Sequence, residues 1–434
     1  ITYIYTDGKN IGGAGTLNIE NIDKDKPTIG AISGGVTIVS GNTGSITISS
    51  IADTGGSGLS GIYISTNNVK PTATSVVWTS NTSSSYSKSV TTAGTYYVWV
   101  KDNAGNVSDA KNCIVTVVGA VAKVENIYYS SVANAISSIS NSGTVVMCAD
   151  TTENVTIPSE KNITLNINGK TITGILTNSG NVTITGNGTI ISNSGNSIIN
   201  FGTAILQSGM IKLTDGGWTL QNNGTFTMLG GSISCQGGAA STTVMNVNKF
   251  NMSGGIISGE NFGLVTRGEN AVSVVNNGTI KTSHASQWAV MAGNEGTVYM
   301  ANTNVSAKYA IVIEGTEETS SLGKEIRLFD CNINGMIYTN SGRPITEIVG
   351  TSTGYDIYYY DGGANINTVS FPTWTTANGQ DDIIWHQGQI GTRNESRCFY
   401  CSVNKLEHKN ETGEYITHVY ADGVAKMGFN YDVK

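Results

Sequence analysis

Two stretches of this chain nearly repeat each other. FTMLGGSIS at 226–234 and FNMSGGIIS at 250–258 share Phe, Met, Gly, Gly, Ile and Ser at a spacing of about 24. AILQSGMIK (204–212) fits the same frame about 22 residues upstream, and VTITGNGTI (182–190) fits another step back with one residue inserted. VSVVNNGTI (272–280), VYMANTNV (298–305) and IRLFDCNI (326–333) carry it on with a loosening period. A repeat of roughly 20–28 residues means a solenoid. Each repeat holds short runs of alternating apolar residues broken by Gly or Asn, with no 3.6-residue period, so the solenoid is predicted to be a parallel β-helix spanning 120–345. One coil cannot bury its own inward side chains, whereas stacked coils bury them against their neighbours.

The repeat frame assigns two inward ladders. One runs through Ile184, Leu206, Met228, Met252, Val274, Met300 and Leu328, the other through Ile190, Ile211, Ile233, Ile257 and Ile280. Glycines and asparagines between them mark the corners. An uncovered end would be an exposed strand edge. VANAISSIS (132–140) places Val132, Ala135, Ile136 and Ile139 on one helical face before Asn141–Gly143, so a capping helix within 131–140 is expected to close the first rung. In this respect the region resembles the right-handed β-helix family over about 225 residues.

Residues 1–119 alternate strand-like runs with Gly, Ser, Thr and Asn turns, as an antiparallel sandwich does. DKDKPTIGAI (23–32) and TAGTYYVWVKDNAGNVS (92–108) resemble the bacterial immunoglobulin-like repeats of secreted surface proteins, which implies such a domain over 23–119. Residues 1–22 then read as the tail of a preceding repeat, and the start at Ile1 as that of an excised or mature piece. DNAGN (102–106) has two readings: a calcium loop, or a hairpin turn of residues that tolerate positive φ.

Residues 346–434 are richer in charge and aromatics. Phe371, Pro372 and Trp374, then Gly379, Gln380, Asp381, Asp382 and Trp385, then His408, Gly413, Tyr415, His418 and Tyr420 form a long ordered pattern. It closely resembles the Bsp-like repeat of group B streptococcal surface proteins, also attached to cell-wall amidases and lysozymes of Gram-positive bacteria. The resemblance implies a small all-β, immunoglobulin-like module. The expected architecture is therefore all-β, a right-handed parallel β-helix flanked by two immunoglobulin-like β-sandwich modules.

Composition narrows the function. Net charge is −7 and no run of Lys or Arg exists, which argues against nucleic acid as a partner. No stretch of about 18 apolar residues is present, so no membrane insertion of this chain is expected. The six cysteines are too scattered for a disulfide scaffold. Cys398 and Cys401 lie on an apparent strand, where three residues span about 10 Å, beyond disulfide reach.

Candidate site residues fall into three sets. Glu260, Arg267 and Glu269, in and beside NFGLVTRGEN, are the best catalytic candidates, because a polysaccharide lyase needs a base and a hydrolase needs two carboxylates about 5–10 Å apart. EGTEETSSLGKE (314–325) reads as a loop leaving the helix. Trp218 and Trp288, at rung margins, read either as sugar platforms or as core or lip packing, and Trp374 and Trp385 as sandwich core first and sugar platforms second. Asp381, Asp382, His408 and His418 are a candidate metal or acid–base cluster; Asp381 and Asp382 read as neighbours on a strand facing opposite ways, with both histidines on adjacent strands. No cofactor is expected, calcium excepted. The polar surface and low charge favour a non-catalytic, adhesin-like protein, secreted or on the surface of a Gram-positive bacterium, binding glycans or host surface and mucin proteins. A polysaccharide lyase or glycoside hydrolase is the first alternative, and a peptidoglycan-targeting unit the second.

Overall fold

Apolar residues at every second position, interrupted by Gly and Asn, let the chain run straight for four to six residues and then turn. Repeated from Val121 onward, this pattern winds a β-solenoid of about nine turns, within one hydrogen-bonded sheet of 29 strands. The computed structural model describes residues 2–6, 8–9, 11–16, 22–238, 241–293, 295–313, 325–339, 343–360, 366–377 and 379–434. They fall into two units, Ile1–Ala120 and Val121–Lys434. Residues 314–324, most of the expected loop, lie outside the described residues.

Parallel pairing runs rung to rung. Asn162 aligns with Asn181, Thr203, Thr225, Lys249, Val272 and Thr297 in turn. Each middle rung has three faces: for one rung, Thr225–Met228, Ser232–Cys235 and Thr242–Asn246. Higher up, strands run through corners, so Val272–Thr282 pairs with two faces of the rung below.

The second ladder is as expected: Ile190, Ile211, Ile233, Ile257 and Ile280 stack in register and are fully buried. The first needs one correction. Met252 pairs with Val275, and Val274 points outward, 41 % exposed. Val272, Val274 and Val275 put apolar residues at both parities, so the pattern does not choose a face there, and a slip of one residue reverses it. A third ladder, which the repeat frame does not pick out, runs through Leu176, Ile198, Leu220, Val244, Leu264, Val290 and Ile311. Phe226 and Phe250 stack between rungs, ring centres 6.0 Å apart. Adjacent residues test this inside–outside assignment. Ile257→Ala should cost about 2–5 kcal/mol, and its exposed neighbour Ile256→Ala less than about 0.5 kcal/mol, read as urea unfolding midpoints.

At one corner the solenoid replaces aliphatic side chains by amides. Asn178, Asn200, Asn222 and Asn246 are fully buried and stack in register. Each donates through Nδ2 to the Oδ1 of the next, at 2.7, 2.8 and 2.7 Å. Asn246 ends the run on the Ser273 hydroxyl, which bonds Thr266. Further bonds go to carbonyls of the turn, such as Gly180 and Gly202. The turn packs against the one below so closely that a Cβ on Gly202 would lie 2.0 Å from the Gly180 oxygen.

The capping helix forms over Val132–Ser138 and buries Val132, Ala135 and Ile136. Ser131 caps it, accepting from the Asn134 N–H at 3.0 Å. The helix itself has no acid in its first turn and no base in its last. The first turns of the solenoid supply both charges. Glu153 accepts the Val132 and Ala133 N–H groups, and buried Lys161 donates to the Ile136 and Ile139 carbonyls, the placement that the helix dipole favours.

At the other end the solenoid sheet continues across position 345. Ile345–Thr351 completes a rung on Ile326–Phe329, then pairs antiparallel with Gly354–Tyr360, which pairs with Ser396–Asn404. A second, four-stranded sheet includes Val369–Thr375, Ile384–Gln387, Gly413–Ala421 and Val424–Val433. A separate core fills the space between the sheets, with Tyr355, Phe371, Phe399, Tyr415 and Phe429. Ser396–Asn404 serves both cores: Cys398 packs into the solenoid and Cys401 into the second core. Facing opposite ways, they form no disulfide, and none of the other four cysteines does.

In the unit Ile1–Ala120, a five-stranded and a three-stranded sheet share a core of Ile46, Ile48, Val98 and Val100 among others. Thr2–Thr6 and Ile11–Thr16 pair as an antiparallel hairpin. DNAGN closes a turn in which the Asp102 carboxylate accepts from the Asn106 N–H at 2.8 Å.

Candidate functional site

The third face of the solenoid carries a groove of about 350 Å³ lined by Trp218, Thr242, Met245, Phe262, Val265, Arg267, Trp288 and Met291. Rung register builds it. Trp218, Thr242 and Phe262 stand in one file along the axis, and the Trp288 ring meets Phe262 edge-on at 5.4 Å. Three residues along each strand, Met245, Val265 and Met291 stand in a second file. Arg267 closes the far side, its Nη2 lying 3.9 Å from Met291 Sδ. Trp218 is 36 % exposed and Trp288 partly exposed, so ring surface remains open to a ligand. Among the described residues, no carboxylate lines this groove.

Glu260 lies elsewhere. It lines a more polar cleft of about 450 Å³ with Ser234, Gln236, Ser258, Lys281 and Ser283. Its carboxylate accepts from the Gly237 N–H at 2.7 Å, and no second acid lines the cleft among the described residues. Glu269 sits on the exposed turn after Arg267 and lines neither cleft. The structure thus separates Glu260, Arg267 and Glu269, and joins Arg267 to Trp218 and Trp288. Sequence reasoning missed Phe262, Met245 and Met291. Phe262 sits five residues before Arg267 in the same quoted segment, and the register that brings it to Trp288 comes only from counting rungs.

In the C-terminal sheets, Asp382 and His408 meet. His408 is fully buried in a short 3₁₀ turn, Lys405–His408, capped by Asn404. Its Nδ1 lies 2.8 Å from Asp382 Oδ2, and Asp382 Oδ1 accepts from the Thr375 N–H at 3.1 Å. Burial favours the neutral acid, yet the Thr375 N–H and the His408 ring hold the Asp382 carboxyl below the usual carboxylate range. Asp381 turns away to Lys409 at 2.6 Å. Both acids lie in a turn ahead of the strand rather than on it, and His408 is on the 3₁₀ turn, which corrects the placement expected from sequence. His418 is not part of the cluster; it packs edge-on against Trp374, 4.9 Å away. Its place beside His408 is taken by His386, 6.2 Å between ring centres. Trp374 is 6 % exposed, whereas Trp385 is 53 % exposed and lies 5.3 Å from Tyr420.

The Nε2 atoms of His386 and His408 are buried without a hydrogen-bond partner. Burial pulls the His386 imidazole below its usual range; Glu407 opposes this and His408 adds to it. As the pH falls below about 6.5, the unfolded chain takes up a proton that folded His386 resists, so stability is lost there and not above it. The unfolding midpoint should fall between pH 7.5 and 5.5, and His386→Gln should flatten that slope.

Among the described residues, the one group of three acids placed to hold a cation is Asp23, Asp53 and Asp102, whose ligand oxygens lie within 4.8 Å of one another. Backbone N–H groups of Asp25, Gly58 and Asn106 already bind them.

Fold and clefts together define an all-β protein in which a β-solenoid with a lateral aromatic groove runs into a two-sheet C-terminal region. A family model described as the GBS Bsp-like repeat matches residues 351–428 of that region. No curated protein and no solved structure matches the chain. No helix among the described residues is long and apolar enough to cross a membrane.

Proposed function

We propose that this is a non-catalytic, adhesin-like glycan-binding protein, secreted or displayed on the surface of a Gram-positive bacterium. The observation that carries the reading is the groove in which Trp218 stands two rungs from Phe262, with Thr242 between them, and Trp288 stands on the rung after Phe262. Sugar rings present an apolar face to aromatic side chains, and rings set two rungs and one rung apart, at about 4.8 Å per rung, offer separate contacts along an extended saccharide. A scaffold bonded along its whole length holds that row in place, so little ordering entropy is lost on binding. The reading includes a right-handed winding and immunoglobulin-like flanking sheets. Among the described residues the two clefts supply one carboxylate between them, Glu260, where hydrolysis needs a pair; this favours binding over polysaccharide cleavage.

A glycan array with the whole chain and with Trp288→Ala tests it. Binding to a defined set of glycans, reduced at least tenfold in the variant, is the expected result. Binding unchanged in Trp288→Ala, or release of reducing ends or unsaturated products from a bound polysaccharide, overturns it.

A second reading, targeting to peptidoglycan, rests on exposed Trp385 beside Tyr420 in the matched repeat. It predicts that the whole chain sediments with purified peptidoglycan and that Trp385→Ala does not.

A further inference from the structure

We infer that the third-face groove selects sugars bearing an acetamido group, an N-acetylhexosamine ring lying against the aromatic file with its acetyl methyl on the methionine file. This rests on the glycan-binding reading and adds the ligand class.

The two long sides of the groove differ in chemistry. The first file runs through Trp218, Thr242, Phe262 and Trp288 in register, and Tyr309 follows Trp288 on the next rung. Three residues further along the strands, about 10 Å away, the second file runs through Met245, Val265 and Met291. Strong hydrogen-bonding groups stand on the first file: the Thr242 hydroxyl and the indole N–H groups of Trp218 and Trp288. Thr242 is 4 % exposed, and its hydroxyl has no hydrogen-bond partner among the described residues. The second file offers thioethers and methyl groups. Arg267, the one charged residue among the described lining residues, is already engaged, in part with Met291 Sδ at 3.9 Å. Selection between sugars therefore falls to the uncharged sides.

A pyranose ring seated on the first file turns one edge toward the second, and the substituent on that edge decides the contact. A hydroxyl there gives up its bonds to water and finds no donor or acceptor of comparable strength, which weakens binding. An acetamido group reaches further, places its methyl on Met245 and Val265, and buries apolar surface. Its amide N–H and carbonyl stay next to the ring, at the open side of the groove, where water reaches them. Methionine side chains are flexible and close around a group of that shape. Met245 is the accessible member of this file, whereas Val265 and Met291 are almost wholly covered.

The test is titration of tryptophan fluorescence with chito-oligosaccharides and with cello-oligosaccharides of the same length. The two share a backbone, carry no charge, and differ in having an acetamido or a hydroxyl group on the second carbon of each ring. For the whole wild-type chain, the acetamido form should bind at least tenfold tighter. Met245→Ser should bring it down to the level of the hydroxyl form, while Trp385→Ala, outside the groove, should leave both unchanged. Saturation-transfer NMR reads the same contact without a variant: the acetyl methyl should receive more saturation from the wild-type protein than the ring protons do. Equal binding of the two forms by the wild type, an acetamido preference that Met245→Ser leaves intact, or array binding confined to glycans without acetamido sugars overturns the acetamido assignment and leaves the glycan-binding reading standing. Absence of binding to every array glycan and to both forms overturns both.

Discussion

Replacing Arg393 by Ala should destabilise the Val121–Lys434 unit by about 3–5 kcal/mol, the cost of leaving a buried charge without its partner. The reason lies at the top of the first ladder. The file that holds Met300 and Leu328 ends in Glu347, in register with Leu328 and fully buried. Arg393 clamps that carboxylate with Nε and Nη2 at 2.9 and 2.8 Å, Tyr360 donates its hydroxyl at 2.7 Å, and Asn394 adds an amide at 3.2 Å. The guanidinium also lies over the Tyr358 ring, 4.2 Å from its centre. Tyr358 and Tyr360 come from the strand after Glu347, and Arg393 and Asn394 from the hairpin that precedes Ser396–Asn404. The pair therefore ties the last rung to the strands that cover it. Urea unfolding followed by circular dichroism measures the loss. The double variant Glu347→Leu/Arg393→Leu should recover most of it, since an apolar pair of similar volume removes the unpaired charge. An Arg393→Ala protein as stable as wild type contradicts this view of the cap.

The asparagine file gives the second large effect. Asn222 donates to Asn246 and to the Lys249 carbonyl, and accepts from Asn200. Asn222→Asp keeps the shape but sets a carboxylate oxygen against the Asn246 oxygen and the Lys249 carbonyl, with no water to screen it. The expected loss is about 3–5 kcal/mol, as for other uncompensated buried charges. Asn222→Ala removes the bonds without adding charge and should cost less, about 2–4 kcal/mol, from two buried groups left unsatisfied. Asn187, exposed at a corner, is the control: its change to Ala should move stability by less than about 0.5 kcal/mol. If Asn222→Asp proves as mild as Asn187→Ala, the amide file does not hold the corner.

The solenoid was legible because a rung repeats its own chemistry. Inward isoleucines recur every 18–24 residues, and a period is visible without any knowledge of contacts. The asparagine file carried the same kind of signal, Asn-x-Gly at 178–180, 200–202 and 222–224, but polar residues at a turn read equally as solvent-facing. Val274 was misplaced because three nearby valines satisfy either parity. What the sequence hid are contacts between unlike residues far apart. Glu347 and Arg393 are 46 residues apart, and nothing in either local sequence marks the other. Asp382 and His408 were expected together, yet the backbone that joins them is a turn and a 3₁₀ segment, neither of which has a periodicity to read. Trp218 and Trp288 stand together in the sequence reading and Arg267 in another set; only rung register shows that the three share a groove.

The most direct measurement is a crystal structure of the chain with an oligosaccharide selected from the array. The account predicts electron density for sugar across the third face, one ring against Trp288. Density confined to the Trp385–Tyr420 surface, or to the polar cleft beside Glu260, contradicts it.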